Sequence, residues 1–198
     1  MAAPEYEPFD PLVELAGMWS TEVAEHYLPI PGFNVGKYEC LDGNLIMSPY
    51  ESSTNSYAAY QLQKRLDAPA VATKHRVYGT VNVAFQSTRW IQPDVTVLNQ
   101  PAAGLVWVPP HYVTMVVEFV SPSSRKRDRI DKPLLCAEAG IPYFMEVEVS
   151  AQRKTATVRL LKLGVADYEE LASAIAGHLF ETSLPFPISF DPKDLLDI

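Results

Sequence analysis

YVTMVVEFV (residues 112–120) has the strongest character of a buried strand in this sequence, because five of its nine residues are Val or Met. A run of this kind usually forms a central strand that is covered on both faces. Strand patterns also follow at 143–149 and 155–163, and an amphipathic helical pattern precedes them at 54–66. This alternation predicts an α/β or α+β fold with a mixed sheet.

The rest of the chain adds local signals to this frame. Asp42-Gly43 is a favoured two-residue turn and predicts a hairpin of strands 38–41 and 44–47. Thr54 or Ser56 is expected to cap the helix over 54–66. We expect an N-terminal helical extension (residues 1–29) and one globular domain (30–198). The remaining predicted elements are an apolar helical face over 12–23, strands at 77–85 and 90–98, and a short helix at 131–139.

Composition excludes several protein classes. The chain has 198 residues, of which 47% are hydrophobic and 20% charged, so it is not a disordered chain, a coiled coil or a collagen. No apolar run approaches the roughly 20 residues that span a bilayer, and no secretory signal is expected at the N-terminus. Cys40 and Cys136 are expected to be small buried side chains in a reducing cytoplasm, since no CxxC pair is present.

The charge distribution is uneven. A net charge of −8 argues against a protein that coats nucleic acid through phosphate neutralisation alone. Five cations nevertheless fall within eight residues: Arg125, Lys126, Arg127, Arg129 and Lys132. Two interpretations stay open, a solvated basic loop and an edge that contacts phosphate groups.

Two acidic residues lie in apolar surroundings. Asp94 follows Pro93 in WIQPDVTVL, and Glu118 lies in MVVEFV. A carboxylate in such a strand is costly unless it is paired, hydrogen-bonded or bound to a metal. Hard oxygen ligands of this kind suit Mg²⁺ or Mn²⁺. The alternatives are that each acid pairs with a separate arginine, or that one faces solvent at a strand end.

Lys132 favours a chemical role for these acids. It follows Glu118 by 14 residues and begins a helix that should return to the sheet. If its ammonium reaches the carboxylates, the site combines a metal, a metal-bound water and a cation, a combination suited to hydrolysing a phosphodiester. The lysine can orient or deprotonate the attacking water, or stabilise developing negative charge.

Four motifs are specific in combination: YECLDGNLIMSP at 38–49, QPDVTVL at 92–98, VVEFVSPSSRKRDRIDK at 116–132 and AEAGIPYFMEVE at 137–148. Through them the chain resembles the Uma2 family within the PD-(D/E)XK nuclease superfamily. The resemblance implies a restriction-endonuclease-like core, with a central mixed β-sheet flanked by helices. It also implies a Mg²⁺- or Mn²⁺-dependent endonuclease whose partner is DNA.

The resemblance also implies roles for individual residues. Asp94 and Glu118 would be the two acids of the family pattern and would bind the metal, and the backbone carbonyl of Phe119 would add a ligand. Lys132 would be the catalytic lysine, moved from the strand to the following helix. Glu39 matches the acid of the E-x-x-DG string; it either completes the acidic cluster or pairs with a surface lysine.

The chain departs from the pattern at several positions. Val120 stands where the superfamily usually has lysine, Thr54 or Asn55 where relatives carry histidine, and Cys136 where they carry tyrosine. These changes keep a second hypothesis open, a catalytically inactive member that acts as a binding or assembly subunit. Hydrolysis of RNA or of a small phosphodiester is a third. A homodimer is an option because nucleases that cut both strands often pair, although nothing in the sequence proves it.

Overall fold

The computed structural model describes residues 9–121 and 126–197. Its helices are α1 (Pro11–Glu14), α2 (Thr21–Tyr27), α3 (Ser53–Ala72) and α4 (Lys132–Glu138). Shorter helical turns lie at Pro110–Tyr112 and Pro192–Leu195, and a π-helix at Arg127–Asp131 leads directly into α4. The strands are β1 (Lys37–Leu41), β2 (Asn44–Ser48), β3 (Arg76–Tyr78), β4 (Asn82–Gln86), β5 (Arg89–Ile91), β6 (Val95–Leu98), β7 (Trp107–Val108), β8 (Val113–Phe119), β9 (Tyr143–Ser150), β10 (Thr155–Leu163), β11 (Tyr168–Ile175), β12 (Phe180–Thr182) and β13 (Ile188–Phe190).

The hydrophobic strand β8 lies inside the larger sheet. Within the described residues this sheet has the order β11-β10-β9-β8-β6-β3. β8 runs parallel to β9 and antiparallel to β6, so the sheet is mixed. Every residue of β8 is buried. The prediction of a buried central strand in a mixed sheet is confirmed.

Helices cover both faces of this sheet. Successive side chains of a strand point to opposite faces. Met115 and Val117 of β8 therefore share one hydrophobic cluster with Leu62 of α3, whereas Val116 shares another with Cys136 of α4. The predicted arrangement of a mixed sheet flanked by helices is confirmed. None of the helices described combines the length and hydrophobicity that crossing a membrane requires.

A smaller sheet carries the predicted hairpin. In the described residues its order is β2-β1-β5-β4-β7. Asp42 and Gly43 connect β1 to β2 with φ angles of 51° and 78°, as this type of turn demands. A side chain at position 43 would also place its Cβ 2.3 Å from the carbonyl oxygen of Gly17, so glycine is required there for space as well. The hairpin prediction is confirmed.

The single strands predicted at 77–85 and 90–98 are wrong. The first divides into β3 and β4, and the second into β5 in the smaller sheet and β6 in the larger one. Pro93 explains the second break, because proline has no N–H to donate to a strand ladder. Asp94 therefore lies at the crossing between the sheets rather than inside a strand. Its main-chain N–H donates to the carbonyl of Val117 at 3.2 Å.

The N-terminal region forms two short helices instead of the continuous helical face predicted over 12–23. The break falls at Gly17, whose φ is 77°. Trp19 and Ala24 are buried in a cluster with Cys40 and Trp90 of the smaller sheet. Both cysteines of the chain are buried free thiols, as predicted. The boundary of an extension over 1–29 stays a prediction.

Ser52 is the N-cap of α3, so the predicted caps Thr54 and Ser56 are wrong. The Ser52 hydroxyl accepts a hydrogen bond from the main-chain N–H of Asn55 at 3.2 Å. We expect Ser52→Ala to lower the free energy of unfolding by about 1 kcal/mol, since it removes this bond. Urea denaturation measures the change. Thr54→Ala is the control, and an equal loss in both variants would contradict the assignment of the cap.

Candidate active site

Buried carboxylates converge where the smaller sheet meets the larger one. Glu39 comes from β1, Asp94 from the crossing before β6, Glu118 from β8 and Asp128 from the π-helix. Each of the four is at most 9% exposed. Burying several like charges together is costly unless cations lie among them. Two lysines, Lys37 and Lys132, supply such charges.

Lys132 lies at the centre of three of these carboxylates. Its ammonium is 2.8 Å from Glu118 Oε1, 2.9 Å from Glu39 Oε1 and 3.4 Å from Asp128 Oδ1. Burial by itself would lower the pKa of Lys132. The negative charges of Glu118, Glu39 and Asp128 outweigh it, so the pKa lies above its ordinary value. Lys132 is therefore a permanently charged donor at neutral pH.

Asp94 has a different cation, Lys37. The Lys37 ammonium donates to Asp94 Oδ1, and the main-chain N–H of Phe119 donates to Asp94 Oδ2 at 2.6 Å. Lys37 and Glu39 are two residues apart on β1 and so point to the same face. Burial would lower the pKa of Lys37, but the negative charges of Glu118 and Asp94 raise it above its ordinary value.

Burial raises the pKa of the Glu118 carboxyl to about 8. The ammonium groups of Lys132 and Lys37 oppose this rise, whereas the carboxylates of Asp94 and Asp128 add to it. Additional positive charge beside Glu118 would therefore favour its ionised form.

Glu39 contacts main-chain and side-chain donors. Its Oε1 accepts from the N–H of Gln92 at 2.9 Å, and its Oε2 lies 3.4 Å from Arg127 Nε. With its contact to Lys132, Glu39 belongs to the acidic cluster. Lys132 is 2% exposed, so this partner of Glu39 is not the surface lysine of the alternative interpretation.

An open cavity of about 390 Å³ lies against this cluster. Asp94, Glu118 and Phe119 share its wall with Lys37 and Lys132; the further lining residues are Met47, Ser48, Pro49, Tyr50, Glu51, Ser52, Asn55, Ser121, Arg127 and Asp128. In residues 9–121 and 126–197, no group of three or more His, Cys, Asp or Glu side chains is arranged to hold a metal. Two carboxylates do fit Mg²⁺, which usually keeps several waters and binds through one or two of them.

The basic run is partly engaged in contacts within the protein. Arg125 lies outside the described residues, and Lys126 is exposed. Arg127 donates to Ser48 Oγ at 3.0 Å besides its contact with Glu39. Arg129 forms ion pairs with two acids of β9, Glu146 and Glu148. Only part of the positive charge therefore faces solvent.

The sequence predicted that Lys132 reaches the carboxylates, and it contacts Glu118. Two further residues of the cluster, Lys37 and Asp128, were not predicted. Lys132 contacts Glu118, whereas the ion pair of Asp94 is with Lys37. Lys37 had a weak signal, since it alternates with Glu39 in the hairpin strand. Asp128 had a stronger one, because it precedes Lys132 by four residues and so shares its side of the helix.

The family model "Uma2: Putative restriction endonuclease" matches residues 24–193. The chain belongs to the Uma2 family. This match confirms the resemblance inferred from the four motifs. No curated protein matches the chain.

Among solved structures, the Uma2 chain is similar to the crystal structure of a "putative nuclease belonging to DUF820" from Anabaena variabilis. The TM-score is 0.59 at 15% sequence identity, and the match covers 86% of this chain and 95% of the other. The likeness confirms the fold class, a mixed α/β fold of the restriction-endonuclease-like type.

Proposed function

We propose that this Uma2 protein is a divalent-cation-dependent endonuclease that hydrolyses phosphodiester bonds of DNA. The family description supports an enzyme of the nuclease type. The observation that carries the proposal is the cavity in which Asp94 and Glu118 lie beside two buried lysines. Paired carboxylates next to ammonium groups suit a substrate that brings both a phosphate charge and a cation.

Asp94, Glu118 and the main-chain carbonyl of Phe119 would hold the cation. Mg²⁺ or Mn²⁺ at such a site supplies Lewis-acid chemistry, which activates water and neutralises charge on the phosphoryl group. The chain's own contribution is to hold both carboxylates in place. Phe119 N–H orients Asp94, and Lys132 orients Glu118.

In this proposal Lys132 is an electrostatic and positioning group. An amine that deprotonates water must first lose its own proton, and the three carboxylates around Lys132 oppose that loss. Deprotonation of the water by Lys132, one of the options from the sequence, is therefore not part of the mechanism. Glu39 acts through Lys132 by fixing its ammonium 2.9 Å away.

DNA is the proposed partner, and the basic run Arg125, Lys126, Arg127 and Arg129 is its proposed contact. Such contacts position the phosphate backbone and do not read sequence. Lys126 is the exposed member among the described ones. We expect Lys126→Ala to weaken binding to unrelated DNA duplexes equally and to reduce the slope of log affinity against log salt by about 1.

Fluorescence anisotropy in Ca²⁺ at several salt concentrations measures this slope. Lys154→Ala, at an exposed turn after β9, is the matched control and should leave it unchanged. A Lys126→Ala slope equal to that of the wild type would remove Lys126 from the DNA contact.

Covalently closed plasmid DNA tests the function itself. An endonuclease converts it to nicked or linear forms in Mg²⁺ or Mn²⁺ and not in EDTA, whereas an exonuclease finds no end. Intact plasmid in all conditions would favour the alternative, a catalytically inactive binding or assembly subunit. One observation supports that alternative: Lys37 already neutralises Asp94. Parallel incubation with RNA tests the third hypothesis, and sedimentation analysis tests whether the chain forms a homodimer.

A further inference from the structure

The two lysines of the site differ in how their ammonium groups are partnered. An ammonium has three N–H donors. Lys132 has a carboxylate for each of them, from Glu118, Glu39 and Asp128. In the described part of the chain, the ammonium of Lys37 contacts a single carboxylate, Asp94. Lys132 is therefore held in place from all sides, whereas Lys37 can change partner.

The oxygen atoms of Asp94 also differ. Oδ2 is held by the main-chain N–H of Phe119 at 2.6 Å, and Oδ1 by Lys37. The main-chain N–H cannot leave Oδ2 unless the backbone moves, whereas the flexible side chain on Oδ1 can turn away, so Oδ1 is the oxygen at which a cation in the cavity would replace Lys37. Two positive charges that bind the same oxygen lie close together and repel each other strongly. Lys37 and a divalent cation are therefore competitors for Asp94.

We propose that Lys37 is the amine of this site that exchanges partners: it yields Asp94 Oδ1 to a divalent cation and then binds the phosphate of the substrate. The proposal rests on the nuclease function above. Lys37 lines the same cavity as Glu118 and Asp94, so its ammonium has room to stay in the cavity beside the phosphate of the substrate. Its flexible stem and compact charge suit this exchange, since lysine binds phosphate as a point charge. No bond is made or broken by Lys37; only its ionic partner changes.

The exchange predicts opposite effects of one substitution on metal binding and on turnover. Lys37→Met keeps the length of the side chain and removes the competing charge. We expect Mn²⁺ to bind Lys37→Met at least about tenfold more tightly than the wild type in calorimetry. At saturating Mn²⁺ the same variant should cleave plasmid DNA about 10²-fold more slowly, because the phosphate loses its ammonium partner.

Two variants serve as controls. Lys37→Arg keeps the positive charge and should bind Mn²⁺ within about threefold of the wild type. Lys64→Met removes an exposed lysine that lies over the Tyr60 ring, away from the cavity wall, and should change neither quantity. Thermal denaturation checks folding, and Lys37→Gln repeats the test if Lys37→Met is unstable. A purely structural Lys37 would weaken both metal binding and turnover on substitution.

The outcomes separate this inference from the nuclease function. Equal or weaker Mn²⁺ binding by Lys37→Met overturns the exchange, and tighter binding with unchanged turnover overturns the phosphate contact. In both cases the nuclease function stands if Asp94→Asn still loses Mn²⁺ binding and cleavage. Absence of Mn²⁺ binding from the wild type and Lys37→Met alike overturns the metal site and the exchange together. Binding by Lys37→Met alone would support the exchange.

Discussion

Glu118→Gln and Asp94→Asn are each expected to slow cleavage of plasmid DNA roughly 10³-fold or more, with loss of Mn²⁺ binding. Each substitution keeps the size of the side chain and removes one of the two charges that would hold the cation. Removing a single electrostatic contact to a transition state commonly costs 10²–10³-fold, and loss of the cation should exceed that. Plasmid cleavage and calorimetry with Mn²⁺ measure the two effects.

Glu51→Gln is the matched control for these variants. Glu51 lines the same cavity, but it is exposed and its carboxylate accepts a hydrogen bond from the Asn55 side chain. We expect Glu51→Gln to retain cleavage within a few-fold of the wild type. The assigned site would be refuted if Glu118→Gln or Asp94→Asn cleaved at the wild-type rate while circular dichroism showed all variants folded.

Lys132→Met is expected to lower the free energy of unfolding by about 3–5 kcal/mol, as when one partner of a buried ion pair is removed. Lys132 is 2% exposed, and its loss leaves Glu39, Glu118 and Asp128 buried without their shared cation. The measurement is urea denaturation at pH 7. Lys126→Met removes an exposed lysine from the adjoining turn and should change the free energy by less than about 0.5 kcal/mol.

A double variant tests the reason for this loss. Because Glu118 lies 2.8 Å from Lys132, the substitutions Lys132→Met and Glu118→Gln should not be additive. Combining them removes one of the acidic groups that lost its ammonium partner, so part of the stability should return. A Lys132→Met protein within 1 kcal/mol of the wild type would show that Lys132 is not the cation that holds the cluster together.

Local patterns were reliable where short-range physics decides the outcome. The hairpin at Asp42-Gly43 follows from two positive φ angles, and burial of β8 follows from its run of Val and Met. Patterns failed where a single residue decides where an element begins or ends. Pro93 divides one predicted strand between two sheets, and Ser52 caps α3 ahead of both predicted caps.

By itself, the sequence determined the family and the class of fold and predicted the acids Asp94 and Glu118 as site residues, since each depends on residue identity and short spacing. Only the tertiary structure decided which cation meets which acid. Lys37 and Asp94 are 57 residues apart, and their contact depends on the smaller sheet placing β1 over the crossing before β6. Lys132 is only 14 residues from Glu118, yet it has two further carboxylate partners, one of them brought in by β1. Charges buried together interact through space, so the packing of the elements, and not the order of residues, sets the electrostatics of this site.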